Sequence, residues 1–94
     1  MTTYRIDDDV AWVSREDLDE GGAPMAYAAS LPAGRPMSLE GSACLVWLAV
    51  ADGGTLDQIV DATALMADAE PAAIRDDVRT LLESLVAGGL VRAG

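Results

Sequence analysis

The sequence contains no histidine, no lysine and no phenylalanine, and it has a single cysteine. Without histidine, the chain cannot assemble a Ser–His–Asp or Cys–His catalytic group from its own residues. One thiol cannot form an internal disulfide, and it cannot supply the usual Cys/His ligands of a zinc site. These absences exclude many nucleophilic enzymes and zinc domains, and we expect neither a metal nor another cofactor.

Positive charge is also scarce. All six basic residues are arginines, and they stand against sixteen acidic residues, which gives a net charge of −10. Such a chain repels the phosphates of nucleic acids and the anionic inner face of a membrane. We therefore expect neither a nucleic acid nor a membrane among its partners.

Long hydrophobic runs are missing as well. The longest, residues 43–51, is about half of what a membrane-spanning helix needs. The acidic N-terminal segment also lacks the apolar stretch of a signal peptide, so we expect a soluble, cytoplasmic protein. With 94 residues, 51% of them hydrophobic, the chain is sized for one folded domain over residues 1–94.

Three stretches in the first half of the chain predict β-strands. Residues 10–13 are rich in strand-forming side chains, residues 25–31 form a weaker candidate because of their alanines, and residues 35–39 follow a Pro-Ala-Gly turn. Pro36 cannot donate a backbone hydrogen bond to a neighbouring strand. The third strand is therefore expected at the edge of its sheet.

The second half of the chain predicts three helices with clear ends. The first is expected over residues 42–51, with Ser42 as its N-cap and a Gly-Gly pair after it. Thr55 and Gln58 have the spacing of a capping box, which starts the second helix. Pro71 suits the first turn of the third helix, which ends at the next pair of glycines.

A three-stranded antiparallel sheet followed by three helices is an α+β, winged-helix-like layout. Many proteins of that layout bind DNA through a basic recognition helix. The third helix here carries Arg75 and Arg79, but it also carries three acidic residues. A DNA-binding transcription regulator is therefore the alternative function, and the charge of the chain opposes it.

The sequence offers no catalytic group. The run Asp7-Asp8-Asp9 lacks the alternating spacing, central glycine and distal glutamate of a calcium loop, so it predicts a solvated acidic turn. Cys44 lies in an apolar stretch with no cation nearby to activate it, so it predicts a small core residue. We expect a protein that is not an enzyme.

An edge strand beside a long amphipathic helix can form a groove that accepts an extended peptide as an additional strand. Arg75 and Arg79 are one turn apart on that helix and could contact such a peptide. The simpler alternative is that both arginines pair with Asp76, Glu83 or solvent.

Five segments of the sequence carry a family resemblance through their order and spacing. They are MSLEGSA (37–43), VWL (46–48), DGGTLDQIV (52–60), DVRTLLESL (77–85) and GGLV (88–91). Together they resemble the PqqD-like family, which includes the recognition elements for ribosomally synthesised and post-translationally modified peptides (RiPPs). Stand-alone proteins of lasso-peptide pathways are among its members of this size.

The resemblance implies a non-catalytic adaptor. Such a protein binds the leader segment of a precursor peptide along the third strand, beside the third helix, and presents it to a leader peptidase or another modifying enzyme. Carried over by position, the implied peptide-binding residues are Arg35, Met37, Ser38 and Leu39 on the strand and Arg75, Val78, Arg79 and Leu82 on the helix. A lasso-peptide partner protein is favoured over a pyrroloquinoline quinone chaperone. An enzyme subunit or a structural interaction module is a further possibility.

Overall fold

The computed structural model describes residues 1–14, 25–30, 34 and 36–94. Within them, six strands occur in chain order: β1 (Thr3–Ile6), β2 (Val10–Ser14), β3 (Met25–Ser30), β4 (Met37–Glu40), β5 (Gly54–Thr55) and β6 (Val91–Ala93). The same residues contain three helices: α1 (Ser42–Asp52), α2 (Leu56–Ala67) and α3 (Pro71–Ala87). The α+β class predicted from the sequence is therefore confirmed.

The three strands predicted from the sequence form one antiparallel sheet with the order β2-β3-β4. Tyr27, in the central strand, lies opposite Val13 of β2 and opposite Ser38 of β4. The predicted edge position of the third strand is confirmed, but its bounds are corrected. β4 begins at Met37, directly after Pro36, because proline has no N–H to contribute to the ladder.

A second antiparallel sheet, with the order β5-β1-β6, was not expected. It joins the two ends of the chain: Arg5 lies opposite Arg92, and Thr3 and Gly94 exchange two backbone hydrogen bonds of 3.1 and 3.0 Å. The expectation of one sheet ahead of the helices was therefore wrong. Strands this short, paired across almost the whole chain, leave no local pattern of alternating polarity in the sequence.

The helix boundaries agree closely with those predicted from the sequence, with one correction. Gly41, at φ 59°, is the N-cap of α1, and Ser42 is the first helical residue rather than the cap. The capping box of α2 is confirmed. The Thr55 hydroxyl accepts a hydrogen bond from the Gln58 N–H at 3.3 Å, and the Gln58 side chain accepts one from the Thr55 N–H at 2.9 Å. Pro71 lies in the first turn of α3, as expected.

The core lies between the helices and the inner face of the β2-β3-β4 sheet. Trp47 of α1 is its largest fully buried side chain. The small side chains of Ala26 and Ala28 on β3 are buried too, which lets the sheet approach α1 closely. Cys44 is buried in the same cluster, so its predicted place in the core is confirmed.

Candidate functional site

The candidate site begins at the outer edge of β4. Among the described residues, β4 pairs with β3 on one side only, so its other side offers unpaired backbone groups. In an antiparallel strand, alternate residues direct their N–H and C=O groups to the same side. A strand of four residues therefore offers about two such residues, or about four hydrogen-bonding groups, to an added strand.

The side chains of β4 alternate between the two faces of the sheet. Leu39 is buried in the core, whereas its neighbour Ser38 is exposed on the opposite face. Met37 lies on the same face as Leu39 and is 43% exposed because it stands at the start of the strand. Met37 and Ser38 are thus accessible beside the backbone edge, and Leu39 anchors that edge to the protein.

The apolar residues expected on α3 are not at the surface. Val78 and Leu82 are both buried, and they belong to the same core cluster as Leu39. The extensive contacts of β4 are with β3 and α1, whereas those of α3 are with α2 and β6. The structure thus shows no extensive direct contact between β4 and α3, and it joins these two elements through the core cluster to which both contribute.

The two arginines expected on α3 are exposed, and each is ion-paired. Arg79 pairs with Asp76 of its own helix at 3.2 Å, which is one of the pairings that the sequence offered as the alternative to peptide contact. Arg75 pairs instead with Asp57 of α2, a partner that the sequence had not indicated. Exposed pairs of this kind contribute little to stability and exchange readily. Arg35, the third expected cation, lies outside the described residues.

Ion pairing extends to every arginine that the structure describes. Arg5 pairs with Asp8 at 3.2 Å, and Arg92 pairs with Asp7 at 3.4 Å. A concentrated positive patch is therefore not formed by these arginines. An acidic partner would have to displace an aspartate from the guanidinium that it approaches.

The outer face of the β2-β3-β4 sheet is a surface that the sequence analysis missed. Val13 is 56% exposed there, and Tyr27, directly opposite it on β3, is 43% exposed. The Tyr27 hydroxyl donates to the Met25 sulfur at 3.3 Å, which lays the phenol along its own strand. The alternation of Val13 with the half-buried Trp12 could have placed Val13 on the outer face.

The acidic side chains of the described residues do not assemble a metal site. No group of three or more Cys, Asp or Glu side chains there could hold a metal ion. The acidic run forms a turn, as predicted, in which the Asp9 N–H donates to the Asp7 carboxylate at 3.0 Å. No helix among the described residues is long and apolar enough to cross a bilayer.

A comparison with models of known protein families matches most of the chain. The model of the family described as Coenzyme PQQ synthesis protein D (PqqD) matches residues 18–91. No curated protein and no solved structure matches the chain. The matched span covers most of the chain, and it contains β3, β4, all three helices and every residue expected to bind peptide.

Proposed function

The chain belongs to the PqqD family, and on that premise we propose that it binds the leader segment of a ribosomally synthesised precursor peptide. Proteins of this family are accessory proteins of RiPP biosynthesis that bind a precursor peptide and work with modifying enzymes. In this proposal the leader adds as a strand to β4, beside α3. The protein is a non-catalytic adaptor that presents the bound leader to a processing enzyme.

The open edge of β4 is the observation that carries this proposal. An extended peptide can pair with backbone groups there without any rearrangement of β3. Each backbone hydrogen bond contributes about 0.5–1.5 kcal/mol net, so about four of them contribute at most about 6 kcal/mol. Association costs about 4–15 kcal/mol in lost freedom. Side-chain contacts must therefore supply most of the affinity and all of the selectivity.

The side chains around β4 suggest where these contacts lie. Met37 is half-exposed on the face that packs against α1, so an apolar leader residue beside it can cover its side chain. Leu39 of β4 and Val78 and Leu82 of α3 are buried in the same core cluster, so the core holds both elements in position. Arg75 and Arg79 are exposed on α3, where a leader carboxylate can exchange with their aspartate partners. Arg35 remains part of the proposed site.

The processing enzyme is proposed to be a separate leader peptidase of a lasso-peptide pathway, acting in the cytoplasm where the precursor is synthesised. This assignment rests on the resemblance to the stand-alone recognition elements of such pathways. No observation favours the DNA-binding alternative. The net charge of −10 repels the phosphates that a recognition helix must contact.

The proposal is tested with fluorescein-labelled synthetic peptides that cover the N-terminal segments of short open reading frames beside the gene. Fluorescence polarisation identifies the peptide that binds, and hydrogen exchange then locates it. We expect the amides of Met37–Glu40 that face the open edge, about two of the four, to gain protection on binding, while those of β1 in the other sheet stay unchanged. Protection confined to the helices would exclude strand addition. Absence of binding by every peptide would overturn the function.

A further inference from the structure

The outer face of the β2-β3-β4 sheet is unusually free of charge for this protein. We define the outer sheet face by Ala11 and Val13 of β2, by Met25, Tyr27 and Ala29 of β3, and by Ser38 and Glu40 of β4. Glu40 is the sole charged residue in these three strands, although the whole chain is 23% charged. An exposed apolar surface of this kind, carrying a tyrosine, is typical of a contact site.

The charge of the protein restricts what can cover this face. A second copy would bring another net charge of −10 to the same place, and an anionic membrane would be repelled as well. A partner surface complements this face when it places an apolar side chain on the Val13–Tyr27 pair and a lysine or arginine beside the negative charge of Glu40. Glu40 lies opposite Met25, at the border of the apolar surface, where such a cation would remain partly hydrated.

The outer sheet face is continuous with the proposed leader site. Val13, Tyr27 and Ser38 form one row across the three strands, because Tyr27 is the direct partner of both others. A leader strand added to β4 extends that row by one residue opposite Ser38, on the same face and about 5 Å away between Cβ atoms. An enzyme seated on this row would contact the protein and the leader together.

We propose that the outer sheet face docks the processing enzyme and that the bound leader completes the docking surface. This inference rests on the proposed function, since the leader supplies the fourth strand. The enzyme surface that fits is apolar at its centre and has a basic residue at its rim. Because coupling between two binding events is reciprocal, the leader raises the affinity for the enzyme, and the enzyme raises the affinity for the leader by the same factor.

The test uses the purified modifying enzymes and peptidases encoded by the neighbouring genes as probes. Each is titrated by biolayer interferometry against the full chain, with and without a saturating leader peptide, and leader binding is measured separately by polarisation. The Val13→Glu variant places a charge at the centre of the face, and Tyr27→Ser removes the phenol. Leu65→Glu is the matched control, because Leu65 is 85% exposed on α2, outside this sheet.

We expect Val13→Glu and Tyr27→Ser to weaken enzyme binding about tenfold or more, with leader affinity within about twofold of the parent. Leu65→Glu should change neither. Circular dichroism confirms that each variant is folded, and Tyr27→Ser decides the test if Val13→Glu does not fold. Enzyme binding at the parent level in folded outer-face variants that still bind leader would overturn this inference alone. Failure of the parent to bind any leader would overturn the proposed function, and this inference with it.

Discussion

Trp12 of β2 meets Trp47 of α1 edge to face, with ring centroids 5.9 Å apart and ring planes at 83°. The contact fixes the β2-β3-β4 sheet against the first helix. Trp47 is fully buried, and among the described residues its indole N–H has no hydrogen-bond partner. An unpaired buried donor costs free energy. The burial of the large ring and its contact with Trp12 offset that cost.

Replacing Trp47 by alanine should destabilise the protein severely. We expect a loss of about 3–5 kcal/mol, because the substitution removes a fully buried ring and leaves a cavity. A domain with about 5 kcal/mol of stability would be largely unfolded by it. Urea denaturation followed by far-ultraviolet circular dichroism measures the change. Leu65→Ala, at an exposed position, should stay within about 0.5 kcal/mol of the parent. A midpoint unchanged by Trp47→Ala would contradict the central role of Trp47.

Charge reversal on α3 should weaken leader binding. We expect Arg79→Glu to fold normally and to bind an acidic leader about tenfold less tightly, with a smaller loss at high salt. Arg75→Glu should behave similarly. Arg5→Glu is a closely matched control, because Arg5 is equally exposed and makes the same 3.2 Å pair with an aspartate three residues away, outside the proposed site. If Arg79→Glu bound the leader as tightly as the parent does, Arg79 would make no electrostatic contribution to leader binding.

Releasing Arg75 from its partner should have the opposite effect. In the Asp57→Asn variant, the guanidinium no longer pairs with a carboxylate of α2. Exposed pairs are worth about 0.2–1 kcal/mol, so the affinity for a leader that carries an acidic residue should rise by up to about fivefold. Asp52→Asn makes the same change of charge at the end of α1 and controls for net charge. Equal gains in both variants would show that Arg75 does not contact the leader.

The Asp7 carboxylate should stabilise the sheet that joins the chain ends. It accepts the Asp9 N–H and pairs with Arg92 of β6, and its side chain is only 19% exposed. We expect Asp7→Ala to lower the free energy of unfolding by about 1–2 kcal/mol. Asp8→Ala removes an exposed pair with Arg5 and should cost under about 0.5 kcal/mol. Chemical denaturation measures the free energy of unfolding of both variants. Equal losses in the two variants would show that the burial of Asp7 does not contribute to stability.

For the proposed site, the sequence predicted the strand and the helix that form it, but it did not predict which of their side chains are exposed. The edge strand and the long third helix were both predicted, since Pro36 and the spacing of Val78 and Leu82 are local signals. Exposure was not predictable in the same way. Val78 and Leu82 were expected to contact the leader but are buried, because an apolar helix face packs against whatever neighbour the fold provides.

What the sequence determined by itself is the local structure: the capping box of Thr55 and Gln58, the proline start of α3, and the glycine pair that follows α1. These features depend on residues within a few positions of one another, so their physics is already present in the chain. The tertiary structure alone decided the pairing of Arg75 with Asp57, the β5-β1-β6 sheet, and the row formed by Val13, Tyr27 and Ser38. Each of these joins segments that are distant in sequence, and such contacts form only when helix packing and strand register bring the segments together.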